Sequence, residues 1–102
     1  MSDLGLTKEA FELIRKVFAD FYCVKRAVIF GSRAKGTYSD YSDVDIALYG
    51  TLNLLTAEQI ACALEELPLV YKFDVIAFDD IKNDDLREHI ARVGVEIYPK
   101  EI

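Results

Sequence analysis

The sequence predicts an α/β (α+β) domain: a small mixed sheet of about four strands flanked by helices. Three observations lead there. Apolar residues recur at helical spacing in three stretches: Phe11, Ile14, Val17, Phe18 and Phe21, then Ile60, Ala63, Leu64 and Leu67, then Leu86, Ile90 and Val93. Short apolar runs of strand character lie between and after them, at residues 27–30, 43–49, 69–78 and 95–98. The two kinds of segment largely alternate along the chain, as in domains that pack helices on a sheet.

Taken in order, Thr7 is placed to cap a first helix running to about Tyr22, its aromatic face turned to the sheet. Lys25 and Arg26 lead into the strand at 27–30. A polar loop from Gly31 to Ser42 follows, with a short helix near its start, and Gly50 closes the strand at 43–49. Thr56 and Gln59 have capping-box spacing for a second helix, which Pro68 stops. In the strand at 69–78, Lys72, Asp74 and Ile76 share a face. Asn83 or Asp84 caps the third helix, and Gly94 stands where a C-cap glycine belongs.

With 102 residues the chain suits one domain, residues 1–102, with little room for a second core. The net charge of −6 argues against stable nucleic-acid binding, because no basic stripe is present to meet phosphates. Cys23 and Cys62 form neither a CxxC pair nor a zinc spacing and read as reduced thiols. No signal peptide, membrane span or lipidation motif is legible, which points to a cytoplasmic protein.

The chemistry concentrates between Phe30 and Leu48, FGSRAKGTYSDYSDVDIAL. Alternate strand residues face the same way, so Asp43 and Asp45 share a face that Val44 and Ile46 do not. Carboxylates crowded together repel unless a cation lies between them. Mg²⁺ suits the task, being hard, oxygen-seeking and commonly held by one or two carboxylates plus substrate phosphates. Gly31 lets a phosphate approach the backbone, and Ser32 offers a hydroxyl and free N–H groups at a helix start. It is not a P-loop, since Gly36 is followed by Thr37-Tyr38 instead of Lys and Ser or Thr.

Gly31-Ser32, ten intervening residues and Asp43-x-Asp45 resemble the pattern of the polymerase-β-like nucleotidyltransferase superfamily. The fuller string GSRAKG…SDVDIAL is similar to its minimal (MNT-type) members, antitoxins paired with HEPN-domain toxins. The likeness spans Ala27 to about Phe78 and implies a third carboxylate on a later strand, matched by Asp74 in KFDVIAF. It implies two Mg²⁺ ions on Asp43, Asp45 and Asp74, ATP as substrate, and Asp74 as acceptor of the attacking hydroxyl's proton. Asp74 reaches the others only if its strand lies beside theirs.

Of the remaining polar residues, Arg33 is a candidate phosphate ligand with Gly31 and Ser32, and Lys35 a weaker one. Ser42 is placed to fix the loop before Asp43. Tyr38 and Tyr41 suit packing over the strand better than stacking on a base. His89, among Arg87, Glu88 and Arg92, reads as solvent-facing and outside the chemistry.

A domain this small leaves a nucleotide half exposed, against the usual deep burial of ligands, so the missing wall is expected from another chain. The first reading is therefore Mg²⁺-dependent transfer of AMP from ATP to a hydroxyl of a partner protein. The resemblance makes that partner a HEPN toxin, a tyrosine its acceptor, and the transfer the silencing event. The alternatives are a non-catalytic antitoxin acting by occlusion and a transferase acting on a small molecule.

Overall fold

The computed structural model describes residues 4–37, 39 and 43–99. Four strands form one mixed sheet: β1 (Val24–Phe30), β2 (Val44–Gly50), β3 (Phe73–Ala77) and β4 (Val95–Tyr98). Their spatial order is β3-β2-β1-β4. β1 lies antiparallel to both β2 and β4, whereas β2 and β3 run parallel. The parallel pair requires a crossover, which the helix between them supplies.

The helices are α1 (Lys8–Ala19), the four-residue α2 (Ser32–Lys35), α3 (Leu54–Glu65) and α4 (Asp84–Val93). A single 3₁₀ turn, Phe78–Asp80, follows β3. Thr7 caps α1 as expected, its hydroxyl accepting the Ala10 N–H at 3.1 Å. α1 stops three residues short of Tyr22, and β1 starts at Val24, three residues before the apolar run. The early start is set by β2, which pairs with Val24 and Arg26 across a register shift at Lys25, and not by the hydropathy of these residues.

α3 does not use the Thr56–Gln59 capping box. Asn53 is the cap, its Oδ1 accepting from the Thr56 backbone N–H at 2.8 Å and the Thr56 hydroxyl at 2.9 Å. A side-chain cap of this type contributes about 1 kcal/mol. β3 is also shorter than the 69–78 run. Lys72 lies just outside it, with its carbonyl accepting the Val44 N–H, and Phe78 opens the 3₁₀ turn.

The two sheet faces differ. Val44, Ile46, Leu48, Ala27 and Ile29 bury one face beneath Ile14 and Phe18 of α1 and Ile60 and Leu64 of α3. Val28 and Ala47 meet Ile81 and Ile90 on the other, where α4 is the covering helix. Phe30, Tyr49 and Ile76 flank that second, smaller cluster. Asn83 caps α4 through bonds from Asp85 and Leu86 N–H, resolving the choice between it and Asp84.

Gly94 ends α4 but not in the left-handed conformation of a glycine C-cap; its φ is −60° and ψ 143°. Its need is for space. A Cβ there would collide with the Ile90 carbonyl oxygen and Val28 Cγ1. Gly94→Ala is expected to cost about 1–3 kcal/mol by forcing α4 off the sheet, measurable by denaturant unfolding. Among the described residues no helix is long and apolar enough to cross a membrane.

Candidate active site

The register of the sheet assembles the site. Asp45 of β2 stands directly beside Asp74 of β3 and beside Phe30 of β1. Residues paired across a ladder point to the same face, so both carboxylates project on the α4 side of the sheet. Asp43, two residues before Asp45 and just ahead of β2, extends the group. Asp43 and Asp74 are exposed and Asp45 half-buried. Burial pushes the Asp45 carboxyl above its usual range, and the negative charges of Asp74 and Asp43 add to the shift.

Three hard oxygen donors in one field are suited to a divalent cation such as Mg²⁺. Among the described residues no three His, Cys, Asp or Glu side chains are already gathered into a coordination shell. Like charges on a shared face hold one another apart until a cation offsets them.

Gly31 joins β1 to α2 with φ 76° and ψ −151°, a conformation that side chains with a Cβ rarely adopt. A Cβ at this position would collide with Oδ2 of Asp45. The glycine thus lets the turn lie directly against the half-buried carboxylate, and Ser32 follows it at the start of α2.

Arg33 departs from its expected place. It is 2% exposed, and its guanidinium donates to the carbonyls of Leu4 at 2.9 Å and Gly5 at 3.4 Å. The same group lies 5.3 Å from the Tyr71 ring centroid, and the Tyr71 hydroxyl donates to Gly5 as well. Arg33 ties the amino-terminal segment to the core, which corrects its reading as a phosphate ligand. Arg33→Ala is expected to destabilise the fold by about 2–4 kcal/mol. Nucleotide affinity should stay within about threefold of wild type, less than one hydrogen bond to a charged group. Chemical denaturation and calorimetry check the two arms.

His89 is half-buried and not solvent-facing as expected. The Gly31 N–H donates to His89 Nε2 at 3.3 Å, and the imidazole meets Phe30 edge-on, with ring centroids 6.4 Å apart. The sequence held the signal: His89 is three residues after Leu86 and four before Val93, on the apolar stripe of α4. Its charged neighbours obscured that spacing. Tyr38, Tyr41 and Ser42 lie outside the described residues.

A four-stranded mixed sheet that sets Asp45 beside Asp74, with a glycine turn against Asp45, is the arrangement expected of a nucleotidyltransferase domain. The chain belongs to the polymerase beta nucleotidyltransferase family, whose model matches residues 12–102. Among curated relatives, it is 28% identical over 98% of its length to a protein adenylyltransferase, MntA, assigned in Haemophilus influenzae, covering 89% of that protein. It is 32% identical over 88% of its length to a protein adenylyltransferase assigned in Methanocaldococcus jannaschii, covering 93% of it.

Solved structures share the fold. A structure described as a minimal nucleotidyltransferase matches with TM-score 0.71 and 26% identity, over 91% of this chain and 94% of that one. A chain from a toxin–antitoxin crystal structure with AMP-PNP matches with TM-score 0.73 and 21% identity, covering 89% and 74% of the two chains. A chain from the complex of tri-AMPylated Shewanella oneidensis HEPN toxin with MNT antitoxin matches at TM-score 0.69 and 18% identity, over 93% and 74%.

Proposed function

We propose that the protein transfers AMP from ATP to a tyrosine hydroxyl of a HEPN-type toxin and thereby acts as its antitoxin. The observation that carries this reading is the pairing of Asp45 with Asp74 beside the Gly31 turn. Support for a protein acceptor comes from relatives assigned as protein adenylyltransferases and from the fold shared with chains of toxin–antitoxin complexes. Asp43 and Asp74 are exposed, so a second chain has access to complete the site.

In this mechanism Asp43, Asp45 and Asp74 would hold magnesium, which when bound would supply positive charge to offset the triphosphate. Gly31 allows the phosphate chain close to the backbone, and the Ser32 hydroxyl donates to a β- or γ-phosphate oxygen. Asp74 accepts the proton of the acceptor hydroxyl. The acceptor oxygen forms a bond to Pα as the Pα–O bond to the leaving group breaks, and pyrophosphate departs with the electron pair. AMP remains esterified to the tyrosine.

The test is to incubate the chain with its toxin, Mg²⁺ and ATP labelled at the α-phosphate. Label should appear on a toxin tyrosine with wild-type protein and vanish with Asp43→Ala. Unlabelled toxin in the wild-type reaction, or labelling that survives the substitution, refutes the reading.

A further inference from the structure

We infer that His89 is a positioning residue for the nucleotide: it holds the Gly31 peptide from the α4 side and so presets the turn that receives the phosphates. The inference deepens the proposed function and, for its ligand arm, rests on it.

Gly31 is constrained on two fronts. The position of its missing Cβ is occupied by the Asp45 carboxylate, and its N–H is bound by His89 Nε2 at 3.3 Å. Because Nε2 accepts that bond, the ring proton of the neutral imidazole resides on Nδ1. The ring is set in place by its edge-on contact with Phe30, which pairs with Asp45 in the ladder. Ile90, the next residue on α4, is 2% exposed and anchors the helix on Val28 and Ala47. His89 therefore reaches the turn from a packed element, with a short lever between core and site.

The consequence is local. Gly31 sits at φ 76° and ψ −151°, with its carbonyl accepting the Lys35 N–H and its N–H bound by His89. A fixed acceptor on its N–H selects that orientation before the nucleotide arrives, reducing the ordering cost on binding. The group is not a catalytic residue; it acts through Gly31.

Two substitutions separate the acceptor from the ring. His89→Phe keeps an aromatic edge for Phe30 but cannot accept a bond, whereas His89→Gln offers a side-chain oxygen and loses the ring. In the chain without nucleotide, exchange of the Gly31 amide hydrogen is expected to be at least about threefold faster in His89→Phe than in wild type, with His89→Gln close to wild type. With Mg²⁺ and AMP-PNP in calorimetry, His89→Phe should bind about 3- to 10-fold more weakly, the scale of one hydrogen bond, and His89→Gln should recover most of the loss. Equal or tighter binding by His89→Phe, or unchanged Gly31 exchange, overturns the role given to His89. No binding of AMP-PNP by the wild-type chain would instead overturn the nucleotide reading of the site, and the exchange arm would still judge the His89–Gly31 bond by itself.

Discussion

Asp45→Asn is expected to abolish adenylyl transfer while making the metal-free protein more stable. The Asp45 carboxyl is raised above its ordinary value first by burial and then by the charges of Asp74 and Asp43. A group whose pKa is higher in the folded chain favours the fold fully below its unfolded value, and that contribution is lost as pH rises through the folded value. Metal-free wild-type protein should therefore lose stability through the acid range above 3.8, and Asp45→Asn should lose less. Near neutrality the variant should melt about 2–5 °C higher; the figure is modest because Asp43 and Asp74 are exposed and screened. Mg²⁺ should raise the melting temperature of wild type and leave the variant nearly unmoved, since a ligand stabilises only a state that binds it. Transfer should fall by about three orders of magnitude. Thermal melts across pH with and without Mg²⁺, beside a transfer assay, measure all of this. A variant less stable than wild type without metal, or equally stabilised by Mg²⁺, contradicts the account.

Gly31→Ala is expected to damage both fold and chemistry. The backbone at φ 76° is strained for any L side chain, and the added methyl meets Asp45 Oδ2. The conformational part should cost about 1–3 kcal/mol. Displacement of the turn or of the Asp45 carboxyl should reduce transfer by about 100-fold, because small misplacements at a reacting centre are expensive. Gly36→Ala is the control. It has φ 80° but nothing within 4 Å of the added Cβ, so it carries backbone strain without the collision. Unfolding midpoints should show Gly31→Ala at least as destabilised as Gly36→Ala, and transfer rates should separate them, with the large loss confined to Gly31→Ala. Equal loss in both would assign the effect to strain alone.

The candidate site was legible where it depended on near neighbours. Strand alternation and spacing nominated Asp43 and Asp45, and Gly31-Ser32 stands at the end of an apolar run, although β2 begins at Val44 and leaves Asp43 just ahead of it. Asp74 was found through a family resemblance. Its placement beside Asp45 depends on a parallel pairing made by α3, a connection whose register no short-range rule specifies. Arg33 shows the opposite failure. In a polar loop next to the glycine–serine turn, its charge suggested phosphate, yet its guanidinium donates to Leu4 and Gly5, 29 and 28 residues away.

Asn53 displaced the Thr56–Gln59 capping box through a local contact, its Oδ1 accepting both the N–H and the hydroxyl of Thr56, while the added residues Leu54 and Leu55 stay exposed. β1 gained residues 24–26 because β2 offered partners to Val24 and Arg26, with the register shifting at Lys25 between them. Gly94 was correctly placed at a helix end, but its reason is the approach of Val28 and Ile90, not a positive φ.

The sequence by itself determined the class of domain, the alternation of its elements, and the two aspartates and glycine–serine turn at its centre. These follow from side-chain periodicity and backbone freedom, which act over a few residues. Only the tertiary structure decided that Asp74 stands next to Asp45, that Arg33 is buried away from the turn, and that His89 reaches Gly31 from a helix 58 residues later. Those outcomes belong to contacts between distant segments, whose geometry is fixed by how helices and strands pack and not by the residues of either segment alone.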